Sequence, residues 1–256
     1  MSKLQDTETP LCPNERYHIF NRGNRGQTIF YRQRNYAYFL QKFAKYMNGY
    51  VHTSAYALLP NHFHFAVRVK SRAELTESAA EDFKSVRKSF LTPYLPTARF
   101  YEQHLPVKFD FLMSLSEENY HLFFQRFDCN SLKERLLEWV VSERLRILMM
   151  SFAKSINKQE NLSGSLFQKN FKRKVIPEDA YWENLILYIH RNPVHHGCAL
   201  NTEDWIWTSF PSLLSDKPTR LCREEVLALF NGREQFLHVH HRHVIDWKKK
   251  EKWVLE

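Results

Sequence analysis

The chain predicts an α+β fold: a ferredoxin-like antiparallel sheet with packed helices and a largely helical insertion. Three observations carry this. The opening reads strand, helix, strand, strand, which is how a ferredoxin-like sheet begins. The second of the paired strands alternates with a period of two. Two long helical stretches then follow, separated by a short basic strand.

After a polar lead-in of sixteen residues, Tyr17 to Phe20 reads as a strand. It ends in the loop Asn21-Arg22-Gly23-Asn24-Arg25-Gly26, whose glycines suit a tight turn that approaches a phosphate. Tyr36 to Met47 is predicted helical, because Phe39, Phe43 and Met47 recur at four-residue spacing on one face. Val51 to Leu59 and His62 to Lys70 are predicted strands joined by Pro60-Asn61. In the second, His62, His64, Ala66 and Arg68 share one face, and Phe63, Phe65, Val67 and Val69 share the other.

From Ser71 to Ser131 the pattern loosens around Pro93, Pro96 and Pro106, and this stretch reads as an insertion within a single domain spanning 1–256. Leu132 to Lys158 is strongly helical. Gly164 to Ile176 reads as a strand carrying Lys169, Lys172, Arg173 and Lys174. Glu178 to Arg191 is predicted helical and is expected to stop at Asn192-Pro193. Residues 201–256 form a Trp-rich, Pro-punctuated C-terminal extension.

Composition narrows the function classes. The net charge of +9, from 37 Lys and Arg against 28 Asp and Glu, favours a polyanionic partner. Only 6 glycines are present and no GxxxxGK[ST] motif occurs, so no nucleotide cofactor is expected. No apolar run approaches the ~18 residues of a membrane span, so no membrane association is expected. Cys12, Cys129, Cys198 and Cys222 are scattered with no signal segment ahead of them, which predicts reduced thiols in a cytoplasm.

The chemistry-bearing residues fall at two places. His62-Phe63-His64 puts two imidazoles on one face of a strand, able to converge on one ion, and is the HUH pattern of two histidines flanking a bulky hydrophobe. Tyr188 and Asn192, four apart, share one face of a helix. Taken singly, each has a plain alternative: surface histidines, and a core tyrosine followed by a helix-ending Asn. Together they describe a phosphoryl-transfer site. A cation on His62, His64 and Asn192 polarises a phosphate, and the Tyr188 phenolate attacks it. Tyr181, two turns earlier, is the rival nucleophile.

Four blocks resemble the REP-associated tyrosine transposases, a group of HUH single-tyrosine enzymes. They are Tyr56-Ala57-Leu58-Leu59-Pro60-Asn61-His62-Phe63-His64-Phe65, Gly164 to Lys172, Tyr188-Ile189-His190-Arg191-Asn192-Pro193-Val194-His195-His196-Gly197, and Trp205-Ile206-Trp207-Thr208-Ser209-Phe210. The resemblance implies an HUH endonuclease type of sheet, His62 and His64 as metal ligands and Tyr188 as nucleophile. It also implies single-stranded DNA that folds into hairpins as substrate, cut through a covalent 5′-phosphotyrosine. Related single-strand transposases carry Gln where this chain has Asn192, one methylene shorter.

Mg²⁺ or Mn²⁺ is the expected cofactor, since imidazole and amide-oxygen donors suit a weakly held, open site. Arg22, Arg25, Lys169, Lys172, Arg173 and Lys174 are the candidate DNA contacts. Trp205 and Trp207 are expected in the core, and the run His238 to His243 is expected to be a basic, pH-sensitive tail segment with no site. Either a monomer or a homodimer fits. Two other functions fit the same residues: a hairpin-binding protein that does not cut, and a nuclease that uses water and leaves Tyr188 structural.

Overall fold

A computed structural model describes residues 9–75, 77–78 and 130–242, with the side chains of 130–139 excepted. Most of the expected insertion, Cys129, His243 and the end of the C-terminal extension lie outside the described residues.

The protein has an α+β fold around one four-stranded antiparallel sheet. Its strands are β1 (Arg16–Arg22), β2 (Val51–Leu59), β3 (His62–Val69) and β4 (Lys172–Val175), in the order β2-β3-β1-β4. Helix α1 (Gln33–Met47) connects β1 to β2, and α2 (Asn130–Glu160) precedes β4. With β3 inserted between β1 and β2 and β4 on the outer edge, this is the split-βαβ arrangement of a ferredoxin-like sheet. Helix α3 (Asp179–His195) follows β4, and α4 (Phe210–Leu214), α5 (Arg223–Leu229) and α6 (Arg233–His241) complete the described chain.

The two sheet faces are packed differently because the side chains alternate. One face presents Tyr17, Ile19, Phe63, Phe65 and Val67 to α1 and α2, whose Phe39, Phe43 and Phe152 fill the layer. Phe43 lies flat on Phe65, with ring centroids 4.0 Å apart, a contact worth roughly 1 kcal/mol beyond its buried area. The other face carries Ala55, Ala57 and Ala66, with Leu59, against α3. Three alanines at the contact let the helix backbone approach the sheet closely. Helices α4 to α6 cover the outer side of α3 through Phe210, Leu213, Val226, Phe230 and Phe236, so every residue from Leu185 to Pro193 is buried.

Two boundaries differ most from expectation. The fourth strand is only Lys172–Val175, because Gly164 (φ 84) and Asn170 (φ 62) turn the chain out of extended geometry, leaving one isolated bridge between Gly23 and Phe167. Helix α3 does not stop at Asn192-Pro193 but runs on to His195. Pro193 removes one N–H, yet His196 N–H still reaches the Asn192 carbonyl at 3.0 Å, and Gly197 (φ 66) ends the helix instead.

The tryptophans expected in the core are half-buried against it: Trp207 stacks on Tyr36 at 5.0 Å, and Trp205 Nε1 donates to the Leu58 carbonyl at 2.8 Å. Among the described residues, Cys12, Cys198 and Cys222 form no disulfide. No described helix is long and apolar enough to cross a membrane.

Candidate active site

The alanine-lined face of the sheet is also the face that carries His62 and His64. Cross-strand register puts Phe20 opposite His64 and Arg22 opposite His62, so His18, Phe20 and Arg22 of β1 share that face. Helix α3 runs along β3 in the opposite direction. Four residues of helix rise about 6 Å, and two residues of strand rise about 7 Å. The i, i+4 pair on the helix therefore meets the i, i+2 pair on the strand residue for residue.

The distances show both meetings. Asn192 Oδ1 lies 2.9 Å from His62 Nε2, and the Tyr188 ring stands edge-on to His64 with centroids 5.5 Å apart. The four expected site residues are thus brought together. Tyr188 is buried. Tyr181 is 46% exposed at the start of α3, away from this contact.

Burial sets the protonation of the histidines. It pushes the His62 imidazole down to about 4, helped by the charges of His196 and Arg22 and opposed by the Asn192 hydrogen bond. His64 is held well below the ordinary imidazole range, first by burial and then by its neighbours His18, His62 and His196. Both rings are neutral at pH 7 and keep a lone pair, which is the form a metal ligand needs.

Sequence reasoning missed two histidines around this centre and a third packed against α3. His18 Nε2 lies 2.8 Å from His64 Nδ1, with the rings stacked at 5.1 Å. Alternation with Phe20 and Arg22 was the available signal, but the face it occupies depends on pairing with a strand forty residues away. His196, one turn beyond Asn192, puts its ring 4.6 Å from His62.

The third is His240, expected in a basic, pH-sensitive tail segment and found buried against α3. Its Nδ1 reaches the Phe236 carbonyl at 2.7 Å, its Nε2 meets His190 Nδ1 at 2.8 Å, and His190 Nε2 meets Ser209 Oγ at 2.7 Å. A carbonyl can only accept, so every proton in this chain is assigned. His240 Nδ1–H donates to Phe236, His190 Nδ1–H donates to His240, and Ser209 O–H donates to His190. Ser209 Oγ in turn accepts the Tyr56 N–H of β2 at 2.9 Å.

The candidate DNA contacts divide by face. Lys172 pairs with Phe20 and Lys174 with His18, so both belong to the histidine face; Lys172 Nζ sits 5.7 Å over the Phe20 ring. Arg22 is exposed at the end of β1, Arg25 in the turn after it (φ 54) and Lys169 in the loop before β4. Arg173 is the exception: it points to the other face, donates to Ser142 Oγ at 2.6 Å and stacks on Phe171.

The donor set fits a hard divalent cation at His62, His64 and Asn192. Asn192 turns its oxygen toward His62 and leaves its Nδ2 buried with no partner, an orientation that favours an acceptor role over a satisfied amide. Among the described residues no three His, Cys, Asp or Glu side chains gather to hold an ion.

Fold and site together define a class of architecture: a split-βαβ antiparallel sheet whose HxH strand faces a helix presenting Tyr and Asn one turn apart. No protein-family model matches the chain, and no curated protein matches it. Among solved structures, the chain is similar to a REP-associated tyrosine transposase bound to a REP hairpin. The identity is 14%, the TM-score 0.48, and the match covers 85% of this chain and 89% of that one.

Proposed function

We propose that the protein is a metal-dependent endonuclease and strand transferase for single-stranded DNA, cutting at hairpins through a covalent 5′-phosphotyrosine on Tyr188. The observation that carries this reading is the double contact between α3 and β3, Asn192 with His62 and Tyr188 with His64. The four motif blocks and the positive charge of the site face support it.

His62, His64 and Asn192 would hold a Mg²⁺ or Mn²⁺ ion, which would supply Lewis-acid polarisation of the scissile phosphate. Arg22, Lys172 and Lys174, on the same face, track the phosphate backbone, with Arg25 and Lys169 at its margin. Tyr188 Oη attacks phosphorus, the Oη–P bond forms as the P–O3′ bond breaks, and the phenol proton leaves as the 3′-oxygen gains one. The phosphodiester energy is kept in the phosphotyrosine, so a second 3′-hydroxyl can reverse the step and join strands without ATP.

The test is a hairpin taken from the flanks of its own gene, labelled at the 3′ end and incubated with Mn²⁺ or Mg²⁺, then resolved on denaturing gels. The label should move onto the protein, and should do so with Tyr181→Phe but not with Tyr188→Phe or His62→Ala. Cleavage without an adduct, unaffected by Tyr188→Phe, would mean a water-using nuclease. Tight binding with no cleavage would mean a hairpin-binding protein.

A further inference from the structure

We propose that His18 is a positioning residue for His64, holding its ring and keeping the proton of that ring on Nδ1 when Nε2 serves as a ligand. This rests on the reading of His64 as a metal ligand.

His18 is fully buried in the middle of β1. Its Nε2 has one hydrogen-bond partner, His64 Nδ1 at 2.8 Å, and its Nδ1 is buried with none. A histidine retained for the fold would have both nitrogens satisfied, because a buried unpaired polar atom destabilises the folded state. An apolar side chain at this strand position would pack between Phe20 and Tyr188 without that penalty; His18 already stacks on Phe20 at 4.5 Å and meets the Tyr188 ring edge-on at 6.1 Å. The one thing an apolar residue cannot do there is bind His64 Nδ1.

That bond decides which nitrogen of His64 is free. A ligating nitrogen must have a bare lone pair, so a neutral His64 that ligates through Nε2 carries its proton on Nδ1. His18 Nε2, 2.8 Å away, accepts that proton when its own sits on Nδ1. The partner that fixes the tautomer and orientation of a metal-bound imidazole is usually a carboxylate, a backbone carbonyl or water. Here it is a second imidazole from the neighbouring strand, placed by the pleat that aligns β1 with β3.

His18→Phe separates this role from a structural one. Mn²⁺ affinity, read by electron paramagnetic resonance, should fall about 10–100-fold, the usual effect of removing such a partner, while the melting temperature stays within a few degrees of wild type. In metal-free protein, a ¹⁵N–¹⁵N coupling across the hydrogen bond should connect His18 Nε2 with His64 Nδ1, whichever ring holds the proton. That coupling together with unchanged Mn²⁺ affinity in His18→Phe would overturn the positioning role and leave the metal site standing. A missing coupling would overturn it directly. Wild-type protein that binds Mn²⁺ no better than His62→Ala would instead remove the metal reading itself, and the role of His18 with it.

Discussion

Asn192 presents its amide oxygen to His62 Nε2 at 2.9 Å while its own Nδ2 stays buried without a partner. Such an arrangement spends stability on placing an acceptor. Asn192→Leu, close to isosteric, removes the orphaned donor but strips His62 Nε2 of its partner, leaving Nδ1 on Asn61 Oδ1. The two changes should offset to within ~1 kcal/mol in urea unfolding. On the proposed reading, Mn²⁺-dependent DNA cleavage by the same variant should drop at least about tenfold, since loss of a ligand costs no less than loss of a group that supports one. A variant that unfolds readily but cleaves normally would make Asn192 a structural residue.

The Ser209–His190–His240 chain should make stability depend on acidity. Burial holds His190 well below its ordinary range and His240 at about 3. Above pH 6.5 both are neutral folded or unfolded, so they contribute no slope. Below 6.5 the unfolded chain takes up protons that the folded chain refuses. Each then reduces stability by about 1.4 kcal/mol per pH unit until its folded pKa is reached. Urea midpoints measured from pH 8 to pH 4.5 should be flat to about 6.5 and fall steeply below it. His240→Gln, which can accept and donate in the same place without titrating, should make the fall shallower, with buried His190, His62 and His64 still contributing the rest.

Arg191 ends α6 from outside. Its Nη2 donates to the carbonyls of Val239, His240 and Arg242 at 2.7, 2.9 and 2.8 Å. Arg191→Met keeps the bulk and loses these charge-assisted bonds. It should cost about 2–3 kcal/mol of stability, detectable by urea unfolding, with little change in Mn²⁺ affinity. Equal losses in both would mean that α6 also shapes the site.

The separation of the basic residues by sheet face predicts different salt behaviour. Lys172→Gln and Lys174→Gln should each reduce the slope of log K against log salt for hairpin binding by about 0.7 to 0.9, one phosphate contact apiece. Arg173→Gln should leave that slope unchanged and lower stability instead, because its guanidinium is committed to Ser142 and Phe171 on the far face.

These expectations also mark what the sequence made legible. The pairings His62 with His64 and Tyr188 with Asn192 follow from local periodicity, two for a strand and four for a helix, and the fold keeps both. What escaped depends on distant partners. His18 joins the site only because β1 pairs with β3 in the register that sets Phe20 against His64. His240 sits in a run of histidines that looks polar by composition, but one turn of α6 points it inward between Phe236 and His190. Arg173 belongs to a basic run that alternates across a strand, so its face is opposite to that of Lys172 and Lys174. Helix α3 passes Pro193 because the bonds after it can still form.

Tyr188 as the nucleophile is tested by peptide mapping with mass spectrometry, after reaction with a hairpin from the flanks of its own gene in Mn²⁺ and nuclease trimming. A nucleotide mass is expected on the oxygen of Tyr188, absent without metal and absent in His64→Ala. Cleaved DNA with an unmodified Tyr188, or an adduct on Tyr181, would contradict it.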